Sequence, residues 1–193
     1  MNILDHLAIF TLGYPSLMAT IWICGGIYFY VHWERKQPWP TTFTWDENAP
    51  KVTVLLPCYN EGANVDETIY HLFKQNYPFM EVIAINDGSK DDTASRLDAL
   101  VLQYPALKVL HQANQGKASA MNNGLSQATG DIIVGIDGDA ILDYDAIGYM
   151  VSHFLSSPKV SGVTGNPRVR TRSTAIGKIQ TGEFSAIIGL IKR

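Results

Sequence analysis

Hydrophobic positions along the chain change their rhythm twice. From Leu7 to Val31 apolar residues run without a single charged side chain, over about 25 residues, long enough to cross a bilayer with some tilt. From Lys51 onward the rhythm becomes short β-branched runs alternating with amphipathic stretches. "KVTVLLP", "EVIAIND", "LKVLH" and "DIIVGID" read as four strands. Between them, Ile69, Leu72 and Phe73 form a helical stripe after Asn64, which has Glu67 three residues on in an N-cap arrangement. "DDTASRLDALVLQY", the segment 116–127 and the segment 144–156 read as further helices. Strands alternating with helices of this length imply a parallel sheet covered on both faces, so the predicted fold class is α/β.

The N-terminal run reads as a membrane anchor rather than a cleaved signal. Its first six residues, MNILDH, hold no Lys or Arg, and no small-x-small cleavage site follows the apolar stretch. Tyr28, Tyr30 and Trp33 gather at its far end, followed by Arg35 and Lys36, which predicts that the rest of the chain faces the cytoplasm. The expected organisation is an anchor over 1–36, a Pro-, Thr- and Trp-rich linker over 37–50 lying near the headgroups, and an α/β domain over 51–193.

Composition narrows the function. A net charge of −3 with no Lys/Arg block gives no electrostatic case for nucleic acid. Two cysteines, Cys24 in the apolar run and Cys58 after a strand, do not make a disulfide framework.

Open parallel sheets bind ligands at the carboxyl ends of their strands. Polar clusters stand after three of the four: "PCYNEG", "NDGSKDD" and "DGDA". Each alone is ordinary turn chemistry; three on one rim point to a site. The first loop lacks the G-x-G-x-x-G of a dinucleotide fold. "HQANQGKAS" has the Gly-Lys of a P-loop but His111 and Ala118 at positions where Gly and Ser or Thr belong. Asp137 and Asp139, one residue apart at a strand end, would repel unless a cation lay between them. A divalent ion bridging carboxylates to a diphosphate suits them, and Mg²⁺ or Mn²⁺ takes one or two carboxylates plus phosphate oxygens. Lys117, near a helix N-terminus, reads either as added charge beside that diphosphate or as a solvated helix residue.

"VTVLLPCYNEGANVDETI", "EVIAINDGSKDDT", "NQGKASAMNNG" and "GDIIVGIDGDA" together resemble the successive motifs of the family 2 glycosyltransferases with a GT-A fold. More narrowly, "WICGGIYFYVHWER" and the segment 163–193 are similar to the bacterial poly-β-1,6-N-acetylglucosamine synthases, processive enzymes of biofilm polysaccharide. The resemblance implies that Pro57, Tyr59 and Glu61 line a uridine pocket and that Asp87 accepts a hydrogen bond from the uracil imide. It places Lys117 beside the nucleotide, Asp137 near ribose and metal, and Asp139 on the metal. It implies an inverting hexosyl transfer from UDP-N-acetylglucosamine to a growing polysaccharide acceptor at the bacterial inner membrane, with a small membrane subunit as a further partner. Synthases of cellulose, chitin or hyaluronan, lipid-phosphate glycosyltransferases and an inactive UDP-sugar-binding module remain the alternatives. The family's Thr-Glu-Asp segment, which holds the catalytic base, and its Gln-x-x-Arg-Trp motif do not occur in residues 1–193. Glu183 reads as a structural helix residue rather than a substitute base. The expectation is a donor-binding half, incomplete at the C-terminus and without polymerising activity of its own.

Overall fold

The structure, a computed structural model, describes residues 2–32, 35, 42–165, 167–169 and 173–186. They fall into two units, one from Met1–Thr41 with Gly165–Arg193, the other Thr42–Thr164.

In the first unit, α1 (Ile3–Ala8) passes through a π-helical stretch (Ile9–Gly13) into α2 (Tyr14–His32). Pro15 lacks an N–H and would crowd the carbonyl of the preceding turn, so a wider turn just before it is where such a helix yields. Asn2 and Asp5 form a reciprocal capping box at the start. Apolar side chains surround α2 on every face, with Leu17, Ile21, Ile27 and Tyr28 all exposed, the pattern of a helix that meets lipid rather than a protein core. Polar side chains along this continuous helical run bond to carbonyls of the preceding turn: Thr11 to Leu7 at 2.8 Å, Ser16 to Leu12 at 2.6 Å, Thr20 to Ser16 at 2.8 Å. Asp5–His32, 28 residues, is long and apolar enough to span a membrane. The helix α7 (Ala175–Ala186) also belongs to this unit. Trp33, Lys36, residues 37–41 of the expected linker and residues 187–193 lie outside the described residues.

The second unit is a four-stranded sheet, wholly parallel, in the order β3-β2-β1-β4. Its strands are β1 (Val52–Cys58), β2 (Met80–Asp87), β3 (Leu107–Gln112) and β4 (Ile132–Gly135); its helices are α3 (Val65–Phe73), α4 (Thr93–Val101), α5 (Lys117–Ser126) and α6 (Ala146–Ser156). The expected α/β class is what forms. Alternation along the strands splits the core in two. Val52, Val54, Leu56, Val82 and Ala84 face α3, α4 and α6, while Leu55, Ile83 and Ile85 face Ala120 of α5. Gly124 lets α5 press closely: a Cβ there would sit 2.7 Å from Ile85 Cδ1.

Three details differ from the sequence reading. Asn64 does not cap α3 with its side chain; its Nδ2 donates to Glu61 Oε2 at 2.9 Å instead. The chain is already turning there, with the Asn64 and Val65 N–H groups both on the Glu61 carbonyl, so the cap geometry is never reached. The fourth strand ends at Gly135, before Asp137: it pairs with residues 52–55 of β1, and among the described residues no strand lies on its other side. Finally, residues 42–50 pack on this unit: Phe43 stacks on Trp45 with ring centroids 5.3 Å apart, Trp45 meets the edge of Tyr77 at 4.8 Å, and Trp45 Nε1 donates to the Asn76 carbonyl at 3.3 Å.

At the amino ends of the strands, the buried Glu81 carboxylate accepts from Thr53 Oγ1 at 2.7 Å, from the Thr129 N–H at 2.8 Å and its hydroxyl at 2.7 Å, and from Lys108 Nζ at 3.0 Å. Burial pushes this carboxyl up, but the bonds from Thr129, Thr53 and Lys108 outweigh it and hold the group well below the ordinary range.

Candidate functional site

Parallel register puts the carboxyl ends of β1 and β2 side by side, with Cys58 opposite Asn86, and pairs Asp87 with Gln112 of β3. The loops that leave these ends enclose a cleft of about 250 Å³. Pro57, Tyr59, Glu61, Asp87, Lys117, Asp137 and Asp139, the residues singled out in the sequence, all line it, together with Cys58 and Gly138. The geometry thus brings together side chains from four separate segments.

The two loops after β1 and β2 are stitched to one another. The Asn60 N–H donates to Ser89 Oγ at 3.0 Å and Asn60 Oδ1 accepts the Lys90 N–H at 2.8 Å. The Glu61 N–H donates to Thr93 Oγ1 at 2.8 Å, and the Gly62 N–H to Asp91 Oδ2 at 3.0 Å. Asn60 takes φ = 58° to make this turn, a conformation asparagine tolerates better than most residues. The Thr93 hydroxyl donates to Asp91, which together with the Gly62 N–H keeps the Asp91 carboxyl below its ordinary range against the pull of burial. The side chains of Asn60, Ser89, Asp91 and Thr93 hold Tyr59 and Glu61 in place. Sequence reasoning passed over them because Asn, Ser and Asp in loops ordinarily signal only turns.

Asp87 is 3% exposed and serves a second loop. Its Oδ1 accepts from Gln112 Nε2 at 2.8 Å and the Gln115 N–H at 2.9 Å, and its Oδ2 from the Gly116 N–H at 2.8 Å. The Gln115 N–H, with Gln112 and the Gly116 N–H, depresses the carboxyl's pKa in spite of burial. Asn123 of α5 in turn donates to Gln112 Oε1 at 2.8 Å. With two acceptor positions per oxygen, Oδ2 keeps one for a ligand. Next in the chain is Lys117, which opens α5 and forms an ion pair with Asp137.

Asp137 and Asp139 flank a tight turn in which the Ala140 N–H returns to the Asp137 carbonyl at 3.0 Å. Buried Thr68 on α3 donates to the Gly138 carbonyl at 2.9 Å, and a Cβ on Gly138 would lie 2.8 Å from Glu61 Cγ. "DGDA" is therefore both a turn and a wall of the cleft. Both carboxylates are exposed, and among the described residues no three His, Cys, Asp or Glu side chains stand close enough together to hold a metal ion by themselves. A cation at this pair would take its other ligands from a bound anion and water, the habit of Mg²⁺ and Mn²⁺ at phosphates. Cys58 also lines the cleft, but burial, helped by Glu61, pushes its thiol up to about 12, which keeps it from acting as a nucleophile.

The chain is 41% identical over 192 residues to the poly-β-1,6-N-acetyl-D-glucosamine synthase of Staphylococcus aureus strain COL, an alignment covering 95% of this chain and 45% of the relative. It is 38% identical to the synthase of the same name from Staphylococcus epidermidis, over 97% of this chain and 46% of the relative. The chain thus spans a little under half the length of these curated relatives. Among solved structures, the mannosyltransferase PcManGT from Pyrobaculum calidifontis, in complex with GDP-Man and Mn²⁺, matches 75% of this chain and 44% of its own at 29% identity and a TM-score of 0.58. TarS 1–349 of S. aureus in complex with UDP-GlcNAc shares the fold over 63% of this chain and 38% of its own, at 23% identity and a TM-score of 0.51. The pattern of glycosyl transferase family 2 matches residues 53–187, the greater part of the sequence and all of the cleft, and the chain belongs to that family.

Proposed function

We propose that this chain is the donor-binding part of a membrane-bound, inverting β-glycosyltransferase that uses UDP-N-acetylglucosamine to extend poly-β-1,6-N-acetylglucosamine. The observation that carries the reading is the convergence of Tyr59, Glu61, Asp87, Lys117, Asp137 and Asp139 on one cleft at the strand ends. The two staphylococcal synthases support the sugar and the polymer. Tyr59, 45% exposed, offers a ring face to the base. The free acceptor position on Asp87 suits the uracil imide, since a carboxylate accepts from uracil's N–H and has nothing to donate to cytosine's lone pair. Lys117 brings positive charge to the diphosphate.

Asp137 and Asp139 would hold the divalent cation, Mg²⁺ or Mn²⁺. When bound, such an ion screens charge on the departing diphosphate, an effect of several kcal/mol on the transition state. The stitching of the two loops holds Tyr59 and Glu61 in place for the nucleotide end of the donor. A hydroxyl of the growing polysaccharide attacks the anomeric carbon and gives its proton to a general base as the bond to UDP breaks, so that an α-linked donor yields a β-linkage. The apolar helix anchors the enzyme in the bacterial inner membrane, and Arg35 beyond its C-terminal end supports a cytoplasmic cleft.

Displacement of a fluorescent UDP analogue from the detergent-purified chain tests the donor. UDP-N-acetylglucosamine should compete better than UDP-glucose or UDP-glucuronate, and all of them better than GDP-mannose. Preference for GDP-mannose would overturn the uridine assignment.

A further inference from the structure

The ion pair between Lys117 and Asp137 puts an ammonium on one of the two carboxylates that would hold the metal. The base of Lys117 is fixed, because the N–H groups of Gln115 and Gly116 are both held by the nearly buried Asp87. The tip is not fixed. The Lys117 and Asp137 side chains are 65% and 63% exposed, so charge rather than packing keeps them together, and the ammonium can change partners without disturbing the core.

We propose that Lys117 is a place-holding cation, which occupies Asp137 in the absence of donor and makes metal and nucleotide bind as a cooperative pair. Without donor, Asp137 and Asp139 carry two negative charges and Lys117 neutralises one of them. A free divalent ion must then displace the ammonium or approach it closely, and both are unfavourable. A diphosphate changes the balance by giving the ammonium a second anionic partner. Lys117 moves to the phosphates and Asp137 is left to the cation. Linkage makes the effect reciprocal: whatever factor UDP adds to metal affinity, the metal adds to UDP affinity. The inference rests on the reading of the cleft as a diphosphate and metal site.

Mn²⁺ binding is followed by the electron paramagnetic resonance signal of the free aquo ion, with residues 1–193 in detergent and with or without UDP. The wild type should bind free Mn²⁺ weakly and gain on the order of fivefold or more with UDP. Lys117→Met should bind free Mn²⁺ on the order of five- to tenfold more tightly, as loss of one unit charge at contact distance in a wet cleft implies, and should lose most of the gain from UDP. Lys117→Arg should keep the wild-type pattern. Circular dichroism checks that the variants fold. If the wild type shows the UDP gain and Lys117→Met shows the same gain with unchanged free-metal affinity, the place-holding role is wrong. If the wild type shows no effect of UDP on Mn²⁺, the donor-site reading itself fails, and the inference with it.

Discussion

Asp87 Oδ2 accepts the N–H of Gly116 at 2.8 Å, tying the end of β2 to the residue that precedes Lys117. Through this bond a strand-end carboxylate sets where a cationic side chain enters the cleft. Asp87→Asn would turn an NH₂ toward at least one of three donors, the Gln112 side chain or the Gln115 and Gly116 N–H groups. Opposed donors leave a buried polar group unsatisfied. We expect faster hydrogen exchange at Gln115 and Gly116 and UDP affinity reduced by roughly tenfold or more, with circular dichroism unchanged. Wild-type exchange at both amides would show that Asp87 does not hold the loop.

Two glycines in the same region should respond differently to alanine. Gly88 has φ = 67°, and a Cβ there would lie 2.6 Å from the Asn114 backbone nitrogen. Gly116 has φ = 85°, but a Cβ would meet nothing within 4 Å. Gly116→Ala should therefore cost only the backbone penalty of its φ-positive extended conformation (ψ = 162°), about 1–3 kcal/mol. Gly88→Ala adds a clash with backbone that cannot move aside cheaply, so it should be the more destabilising of the two. Thermal melts of both variants side by side measure the order.

Glu81 gives a pH dependence whose sign is fixed by its environment. Its carboxyl titrates lower in the folded chain than in the unfolded one, where a glutamate titrates at about 4.3. The stabilisation is therefore fully present above that pH and is lost as pH falls below it, toward the folded value. Melting temperature should drop between about pH 5 and pH 3. Glu81→Gln, which loses charge-assisted bonds worth about 2–3 kcal/mol in all, should melt lower at neutral pH and show a flatter acid limb. An equally steep acid limb in the variant would place the acid-sensitive group elsewhere.

Membrane topology is open to direct labelling. Glu47 is exposed, Cys58 is buried and Cys24 lies within the apolar helix. In intact bacterial cells a cysteine at Glu47→Cys should stay unreactive to an impermeant maleimide and react once the inner membrane is permeabilised. Labelling of intact cells would invert the orientation.

Much of this is legible in the amino-acid sequence. β-Branched runs such as "VTVLL" and "EVIAI" can be little else than buried strands once helices alternate with them, and parallel strands must bring their loops to one rim. Hence the cleft residues could be named from three polar clusters and a family resemblance. What escaped depends on which loops touch. Nothing in "YNEG" announces that Asn60 takes a left-handed turn to reach Ser89, or in "NDGS" that Asp87 serves the loop after β3 as well as the cleft. Trp45 looked like a headgroup residue amid prolines and threonines, yet Tyr77 and Phe43 give it a place on the domain. The Asn64 cap failed for a local reason, because Glu61 offered its amide a closer partner.

The most direct test of the account is calorimetric titration of UDP into the detergent-purified chain, with and without Mn²⁺, for the wild type and Asp139→Asn. Asp139 is exposed and contributes nothing to the core, so the variant should fold as the wild type does. UDP binding should depend on Mn²⁺ in the wild type and lose most of that dependence in Asp139→Asn. Metal-dependent affinity of wild-type strength in a folded Asp139→Asn would contradict it, and the two carboxylates of "DGDA" would then be a turn and nothing more.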